Sequence, residues 1–393
     1  MTKDELLQDD TRWVHALNVL RDKHVPERDI AKVTLPVIKQ WQDEILNRKF
    51  KWEIPYMVKI PKKAGGFREC LALPFKSRIV MNVISGIYYD LFEGAMSPRV
   101  YSYKEEVSVA KAVHNVKRYS QTHPLVGYKV DLSKYFDSVE IEYLEDLLFQ
   151  LDSGSVVDEL VWDFYHDTRL QTKDGVVEHY RSLCQGVAMS AVLANLFLVD
   201  VDIELSDIVG YWRYSDDILL IGDRSDEAFE MLSAMLDELG LELNPKKIER
   251  VNGEVTFLGV TIGEKLNIAK ENMRALKLEG KRRCAKQKPT RRGQACAVRQ
   301  IQRFLFHEDF YDHSAFKYYA SLKTSIRDFR ELNNYYEAQI RAVYTGKQNY
   351  TSNRNKTPDS VLYQELGWVP LTDLLRWYYE EPELYEQFVR RVS

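Results

Sequence analysis

The sequence predicts an α+β chain, helical toward both ends and crossed in the middle by short antiparallel strands. Three patterns carry that reading. Apolar residues recur every three to four positions in "AKVTLPVIKQWQDEIL" (31–46) and again after about residue 265. Two alternating runs flank Lys62-Lys63-Ala64-Gly65-Gly66, a hairpin signal that Pro74 closes. "GYWRYSDDILLIG" (210–222) reads as strand, tight turn, strand. At 393 residues the chain is too long for one core, and two or three subdomains are expected.

In chain order, "SRIVMNVISGIYYDLFEGAM" (77–96) has a long helical pattern, and "LVGYKVDLSKYF" is an apolar strand ending at Asp131. Asp137 stands where the N-cap of the next helix is expected, with Glu140 three residues on. Residues 156–170 read as helix and "KDGVVEHYRSL" (173–183) as a short hairpin. "GVAMSAVLANLFLVDVDIEL" (186–205) reads as one apolar helix opened by Gln185 and Gly186, where backbone N–H groups can meet phosphate. "SDEAFEMLSAMLDELG" is an amphipathic helix stopped by Gly240, "EVTFLGVTI" a further strand, and "KQKPTRRGQ" an exposed loop.

Composition narrows the class. Apolar residues at 45% and aromatics at 12% fit a folded protein. Cys70, Cys184, Cys284 and Cys296 show neither CxxC nor metal-ligand spacing, which fits reduced thiols. No secretory h-region opens the chain and no apolar run is long enough to span a bilayer, so a cytoplasmic protein with no membrane partner is expected. The net charge of −4 hides an asymmetry: Lys270 to Arg303 holds twelve Lys or Arg against two acids. That surplus suits either a phosphate-binding surface or a solvated basic helix.

Adjacent Asp216 and Asp217 repel each other at the lip of a buried strand unless a turn solvates them or a cation neutralises them. Hard divalent cations bind through one or two carboxylates plus substrate phosphates. Two such ions about 3.5–4 Å apart serve in-line nucleotidyl transfer. That scheme needs carboxylates from two neighbouring strands, and Asp131 ends one.

At these residues the chain resembles the reverse transcriptases, most closely the bacterial enzymes related to group II introns and retrons. The resemblance covers roughly residues 50–265, with its motifs in the family's order. "IPKKAGGFRECLALP" with "SRIVMNVI" is similar to the fingers pattern, and "MSPRVYSYKEEVSVAKAV" resembles the segment that follows. "VDLSKYFDSV", "CQGVAMSAVLANLFL", "YSDD", "GLELNPKKIE" and "FLGVTI" match the palm motifs. Cys184 replaces the usual proline, and "YSYKEEVS" lacks an arginine and a glycine of its counterpart.

The resemblance implies a right-hand polymerase fold of fingers, palm and thumb, with an antiparallel palm sheet and a helical thumb. The expected boundaries are 1–50 for an N-terminal helical segment, 51–125 for fingers, 126–265 for palm, and 266–393 for a basic thumb with C-terminal extension. It implies two Mg²⁺ ions, with Mn²⁺ as an alternative, on Asp131, Asp216 and Asp217. Phe136 would face the incoming sugar and exclude a 2′-hydroxyl. Lys62 and Arg68 would fold over the triphosphate, with Arg78 facing template or nucleotide. Gln185, Gly186 and Asn195 would hold the nucleotide, and Lys247 would protonate leaving pyrophosphate. Asn195 equally fits helix packing, Gly186 close packing, and Lys247 a solvated turn. Asp200 and Asp202 read as residues at or behind the site's rim.

The implied activity is RNA-directed DNA synthesis from dNTPs, with a template RNA (a dedicated noncoding RNA among the options) and a DNA product. A homo-oligomer or a partner polymerase is compatible. Free-standing enzymes of this size look like those of phage defence, so an antiviral role is expected. Rival readings are a template-independent DNA polymerase of the same fold, a palm-type nucleotidyl cyclase, and a non-catalytic RNA-binding protein.

Overall fold

The computed structural model describes residues 1–22, 25–61, 66–104, 107–151, 154–178, 182–307, 309–310, 313–347 and 349–392. Two units divide the chain: Met1–Val107 with Gly127–Arg250, and Ser108–Val126 with Val251–Ser393. Among the described residues no helix is long and apolar enough to cross a membrane. All four cysteines are free.

The first eight strands are β1 (Tyr56–Pro61), β2 (Phe67–Ala72), β3 (Val126–Asp131), β4 (Arg169–Thr172), β5 (Gly175–Glu178), β6 (Gly210–Tyr214), β7 (Asp217–Ile221) and β8 (Glu249–Asn252), all within the first unit but for Val126 and Val251–Asn252 at its boundaries. They form two four-stranded sheets, ordered β2-β1-β4-β5 and β6-β7-β3-β8. The β1–β2 hairpin pairs Tyr56 with Ala72 through to Pro61 with Phe67, as the alternating runs predict. Pro74 then caps the helix Phe75–Phe92, its fixed φ suiting a helix start. β7 is central in its sheet, and Ile218 through Ile221 are fully buried. That explains why the run is continuously apolar and not alternating.

The structure corrects several sequence expectations. The helix expected over 156–170 ends at His166, because Asp167 accepts hydrogen bonds from the backbone N–H and guanidinium of Arg169. Residues 169–172 become β4, so the expected hairpin turns at Lys173-Asp174. Asp137 does not cap the long helix. It lies exposed inside a one-turn helix, Tyr135–Ser138, entered through left-handed Lys134, and the long helix starts at Ile141. The apolar helix of 186–205 is two helices, Ala188–Phe197 and Val199–Ile208, meeting at Leu198. Gln185 and Gly186 form a turn just before them.

In the second unit "EVTFLGVTI", one strand by its apolar pattern but with "FLGV" a hairpin by the family resemblance, is a tight hairpin. β9 (Val255–Phe257) and β10 (Val260–Ile262) turn through Leu258 and Gly259, both at positive φ, and β11 (Leu266–Ile268) extends the sheet. Lys117, on the helix Val109–Tyr119, donates to the carbonyls of Gly263 and Glu264 at 2.7 and 3.0 Å, fastening that helix to the sheet. The basic segment forms helices Lys270–Ala285 and Arg291–His307, so Arg291 to Gln294 of the expected loop are helical.

The first of these helices packs on Ile326–Thr345 at Gly280, where a Cβ would lie 2.2 Å from the Tyr336 ring. That ring is fixed, since its hydroxyl donates to Leu276 O at 2.9 Å. Gly280→Ala is therefore expected to destabilise the second unit by about 1–3 kcal/mol. Thermal melting reads this, and an unchanged melting curve would show that the helices part without penalty.

Candidate active site

The strand registers build the site. β3 and β7 are antiparallel with Asp131 opposite Asp217, and Leu132 N donates to Asp216 O at 3.0 Å. β6 pairs with β7 from Gly210–Ile221 to Tyr214–Asp217, leaving only Ser215 and Asp216 in the turn. A two-residue hairpin needs left-handed backbone, and Ser215 supplies it at φ 57°. That conformation costs a non-glycine residue about 1–2 kcal/mol, and three contacts hold it. Ser215 N donates to Ser102 Oγ at 2.8 Å. Arg213 Nη1 donates to Ser215 O at 3.3 Å, and the Tyr103 hydroxyl lies 3.2 Å from Ser215 Oγ.

Behind the turn lies a buried ion pair. Arg213 is fully buried and donates from Nε and Nη2 to Asp202 at 2.6 and 2.5 Å. The Tyr211 hydroxyl donates to the same carboxylate at 2.7 Å. Arg213 Nη1 also reaches Asn195 Oδ1 at 3.2 Å, while Asn195 Nδ2 donates to Ser102 O at 2.9 Å. Burial works against the Arg213 charge, but Asp202 outweighs it and the guanidinium pKa rises. Sequence reasoning left Asp202 at or behind the rim, of which the structure takes the second, and passed over Arg213. The available signal was an arginine among apolar and aromatic residues directly before the Asp-Asp pair.

On the other side the carboxylates crowd together. Burial and then the Asp131 charge raise the Asp216 pKa. Burial pushes Asp217 up to about 6, with Lys129 opposing and the other two aspartates adding. Asp131 is buried and receives the Lys247 ammonium at 2.5 Å and Asn244 Nδ2 at 3.4 Å. Burial disfavours the Lys247 charge, yet its hydrogen bond to Asp131 and the three carboxylates together raise its pKa.

Among the described residues no three His, Cys, Asp or Glu side chains are gathered as a ready ligand set. The three aspartates adjoin through strand register, and Asp131 contacts an ammonium. The donor chemistry still fits a divalent cation: oxygen ligands alone, two with raised pKa values, and a position on Asp131 already held by a positive group.

The remaining candidates divide between exposed and committed residues. Phe136 is half-buried, edge-on to Tyr135 at 5.8 Å and to Tyr103 at 6.2 Å between ring centroids. Arg68 is exposed on β2, and its charge reaches Asp216. Arg78 sits half-buried in the first turns of Phe75–Phe92. Lys62 lies outside the described residues.

Gly186 is at φ 95°, and a Cβ there would meet Leu71 O at 2.5 Å, while Gln185 O accepts from Leu71 N at 2.7 Å. This turn therefore locks onto β2, and glycine is required by conformation and space. Asn195 is 1% exposed and both ends of its amide are bonded within the protein. Its visible work is to hold the 102 region, in place of contact with a nucleotide.

A carboxylate-bearing turn on the central strands of an antiparallel sheet, beside a hairpin sheet that carries an arginine, is the palm-and-fingers arrangement of a right-hand polymerase. The chain belongs to the reverse transcriptase (RNA-dependent DNA polymerase) family, whose pattern it matches over residues 60–262. A Saccharomyces cerevisiae protein described as a COX1/OXI3 intron 1 protein is 24% identical over 177 residues, 45% of this chain and 21% of that protein. The chain thus spans about a fifth of the length of the curated relative it matches. Telomerase from Candida albicans, solved with a fragment of telomeric RNA, is similar at 12% identity and TM-score 0.43, covering 88% of this chain and 70% of its own. Apo telomerase from Candida tropicalis is similar at 11% and 0.46, covering 87% and 66%.

Removing one member of the buried pair strands the other. Asp202→Ala is expected to lower stability by about 3–5 kcal/mol, measured by denaturant unfolding. Asp202→Leu with Arg213→Met should recover most of that loss. A single variant as stable as wild type would mean that water or another group neutralises Arg213.

Proposed function

We propose that this chain is an RNA-directed DNA polymerase that adds deoxynucleotides to a primer 3′-hydroxyl. The observation that carries the reading is the register of Asp131 with the Asp216-Asp217 turn, in a chain of the reverse transcriptase family. Asp131, Asp216 and Asp217 would hold Mg²⁺, which when bound favours the 3′-alkoxide and neutralises charge on the leaving pyrophosphate.

The chain's own groups do the rest. Phe136 meets the sugar and excludes a 2′-hydroxyl by bulk. Arg68, with Lys62, clamps the triphosphate, for which a guanidinium fork offers bidentate bonds. The Lys247 side chain is 57% exposed, so its ammonium can leave Asp131 and give a proton to the leaving group. Gln185 supports the nucleotide side from its turn on β2.

In the second unit Lys270, Arg274, Lys281, Arg292, Arg299 and Arg303 are exposed and in no ion pair among the described residues. The first three lie at positions 0, 4 and 11 of their helix, one face of a 3.6-residue period. This fits a thumb that grips the nucleic-acid backbone. We assign fingers to 51–125, palm to 126–265 and thumb with extension to 266–393. A bacterial, antiviral setting, with a dedicated noncoding RNA as template, follows from the resemblance to free-standing defence enzymes.

The test purifies the protein from the cells that make it, beside an Asp216→Ala, Asp217→Ala variant, and sequences the RNA and DNA that accompany each. A cDNA complementary to one bound RNA, absent with the variant, is expected. DNA without an RNA counterpart, still lost in the variant, would replace this reading with untemplated synthesis. RNA bound equally by both proteins, with no DNA in either, would sink the polymerase reading.

A further inference from the structure

Residues 99–103 run beside β6 and cover the Asp216 turn. Val100 bridges Arg213 in parallel; Arg213 N donates to Arg99 O at 3.0 Å, and Tyr101 N donates to Arg213 O at 2.9 Å. Ser102 is fully buried. Its hydroxyl accepts from Ser215 N and its carbonyl from Asn195 Nδ2, so this backbone is fixed on both sides.

The next residue, Tyr103, takes φ 56°, a left-handed conformation uncommon for a bulky side chain. Burial does not explain it, because Tyr103 remains 46% exposed. The conformation brings the ring over the turn. Its hydroxyl lies 3.2 Å from Ser215 Oγ, and its ring stands at 79° to Phe136 with centroids 6.2 Å apart. Phe136 is thus bracketed. On its other flank Tyr135, whose hydroxyl donates to Ala194 O, stands at 78°. Tyr135 is anchored in the core, whereas Tyr103 is anchored to the turn that carries Asp216.

We propose that Tyr103 is a specificity-determining positioning residue: it holds the Phe136 ring against the incoming sugar and ties that ring to the Asp216 turn through Ser215. The inference rests on the polymerase reading above, with Phe136 as the sugar-facing side chain. Backbone strain kept at an exposed residue beside a reacting centre is the form that a functional constraint takes. Without the Tyr103 ring, Phe136 keeps its contact with Tyr135 but gains a free side to swing into. A ribose hydroxyl then fits where it had clashed, while Asp131, Asp216 and Asp217 stay in place.

The experiment measures single-nucleotide addition with dNTP and with rNTP on one primer-template, for wild type, Tyr103→Phe, Tyr103→Ala, Phe136→Ala and the double alanine variant. Melting curves check that each protein is folded. The readout is the ratio of kcat/KM for deoxynucleotide over ribonucleotide. Tyr103→Ala is expected to lower this ratio about three- to tenfold, the scale of one aromatic edge contact. Tyr103→Phe should keep most of it, since the ring remains.

Phe136→Ala should lower the ratio further, and adding Tyr103→Ala to it should change little, because the two act through one ring. If Tyr103→Ala keeps the wild-type ratio while Phe136→Ala loses it, the inference is overturned. Equal loss for both nucleotides also overturns it, since a merely structural role lowers both alike. A ratio unmoved by Phe136→Ala removes the gate and this inference together. Wild type that extends no primer with either nucleotide defeats the polymerase reading itself.

Discussion

The Asp202–Arg213 pair sits where everything at the front of the palm must be referred to something fixed. Arg213 lies on β6 and makes four side-chain hydrogen bonds: two to Asp202, one to Asn195 and one to the carbonyl of Ser215. Its backbone N–H and carbonyl are used as well, by residues 99 and 101. One residue therefore ties together two consecutive helices, those of Asn195 and Asp202, and the segment before Tyr103, which lies more than a hundred residues from Arg213 in sequence. The turn with Asp216 hangs from that knot. A left-handed serine holds its place there because its N–H, carbonyl and hydroxyl all have partners.

The two faces of this turn meet the same electrostatic problem in opposite ways. Behind it, Asp202 is neutralised permanently by a fully buried guanidinium, whose planar fork leaves no alternative arrangement. In front, Asp131 is neutralised by Lys247, an ammonium on a flexible stem that is 57% exposed. An exposed ammonium can be displaced at little cost, whereas a buried guanidinium cannot. The burial and, after it, the neighbouring carboxylates that raise the pKa values of Asp216 and Asp217 are thus left on the exchangeable side. Asp217, pushed up to about 6 mainly by burial, therefore lies on the side whose neutralising group is exchangeable, while the geometry behind it is fixed.

The front of the site was legible in the sequence and its support was not. Asp131, Phe136 and the Asp216-Asp217 pair lie in short stretches where strand alternation and a tight turn fix the backbone locally, so their placement follows from a few neighbouring residues. Hairpins at 56–72 and 210–221 were readable for the same reason. Asp202, Arg213, Ser102 and Tyr103 were not, since their meaning lies in contacts across up to 113 residues of sequence. Asn195 drew attention as a residue of a nucleotide-binding motif, but burial gives both ends of its amide to the protein. Element ends failed where one side chain overrode periodicity, as Asp167 did in ending a helix that the apolar pattern carried to residue 170. Gly186 was legible as a glycine yet not in its reason, because the carbonyl it must clear belongs to Leu71 on β2, more than a hundred residues earlier.

A charged pair at this depth needs justification, because apolar side chains of similar volume often stabilise a core as well or better. Stability alone does not account for it. Apolar packing is non-directional and tolerates small shifts, whereas the guanidinium presents donors in one plane at fixed angles. The carboxylate turn requires that directionality: a register slip of one residue in β7 would send Asp217 to the opposite face of the sheet, and one in β6 would do the same to Arg213. Two helices where the sequence reads as one serve the same end, since the break at Leu198 starts a second helix whose first turn brings Asp202 to Arg213. The pair's bonds fix Arg213 against the helices of Asn195 and Asp202 and against the Ser215 carbonyl, in directions that apolar packing would not set.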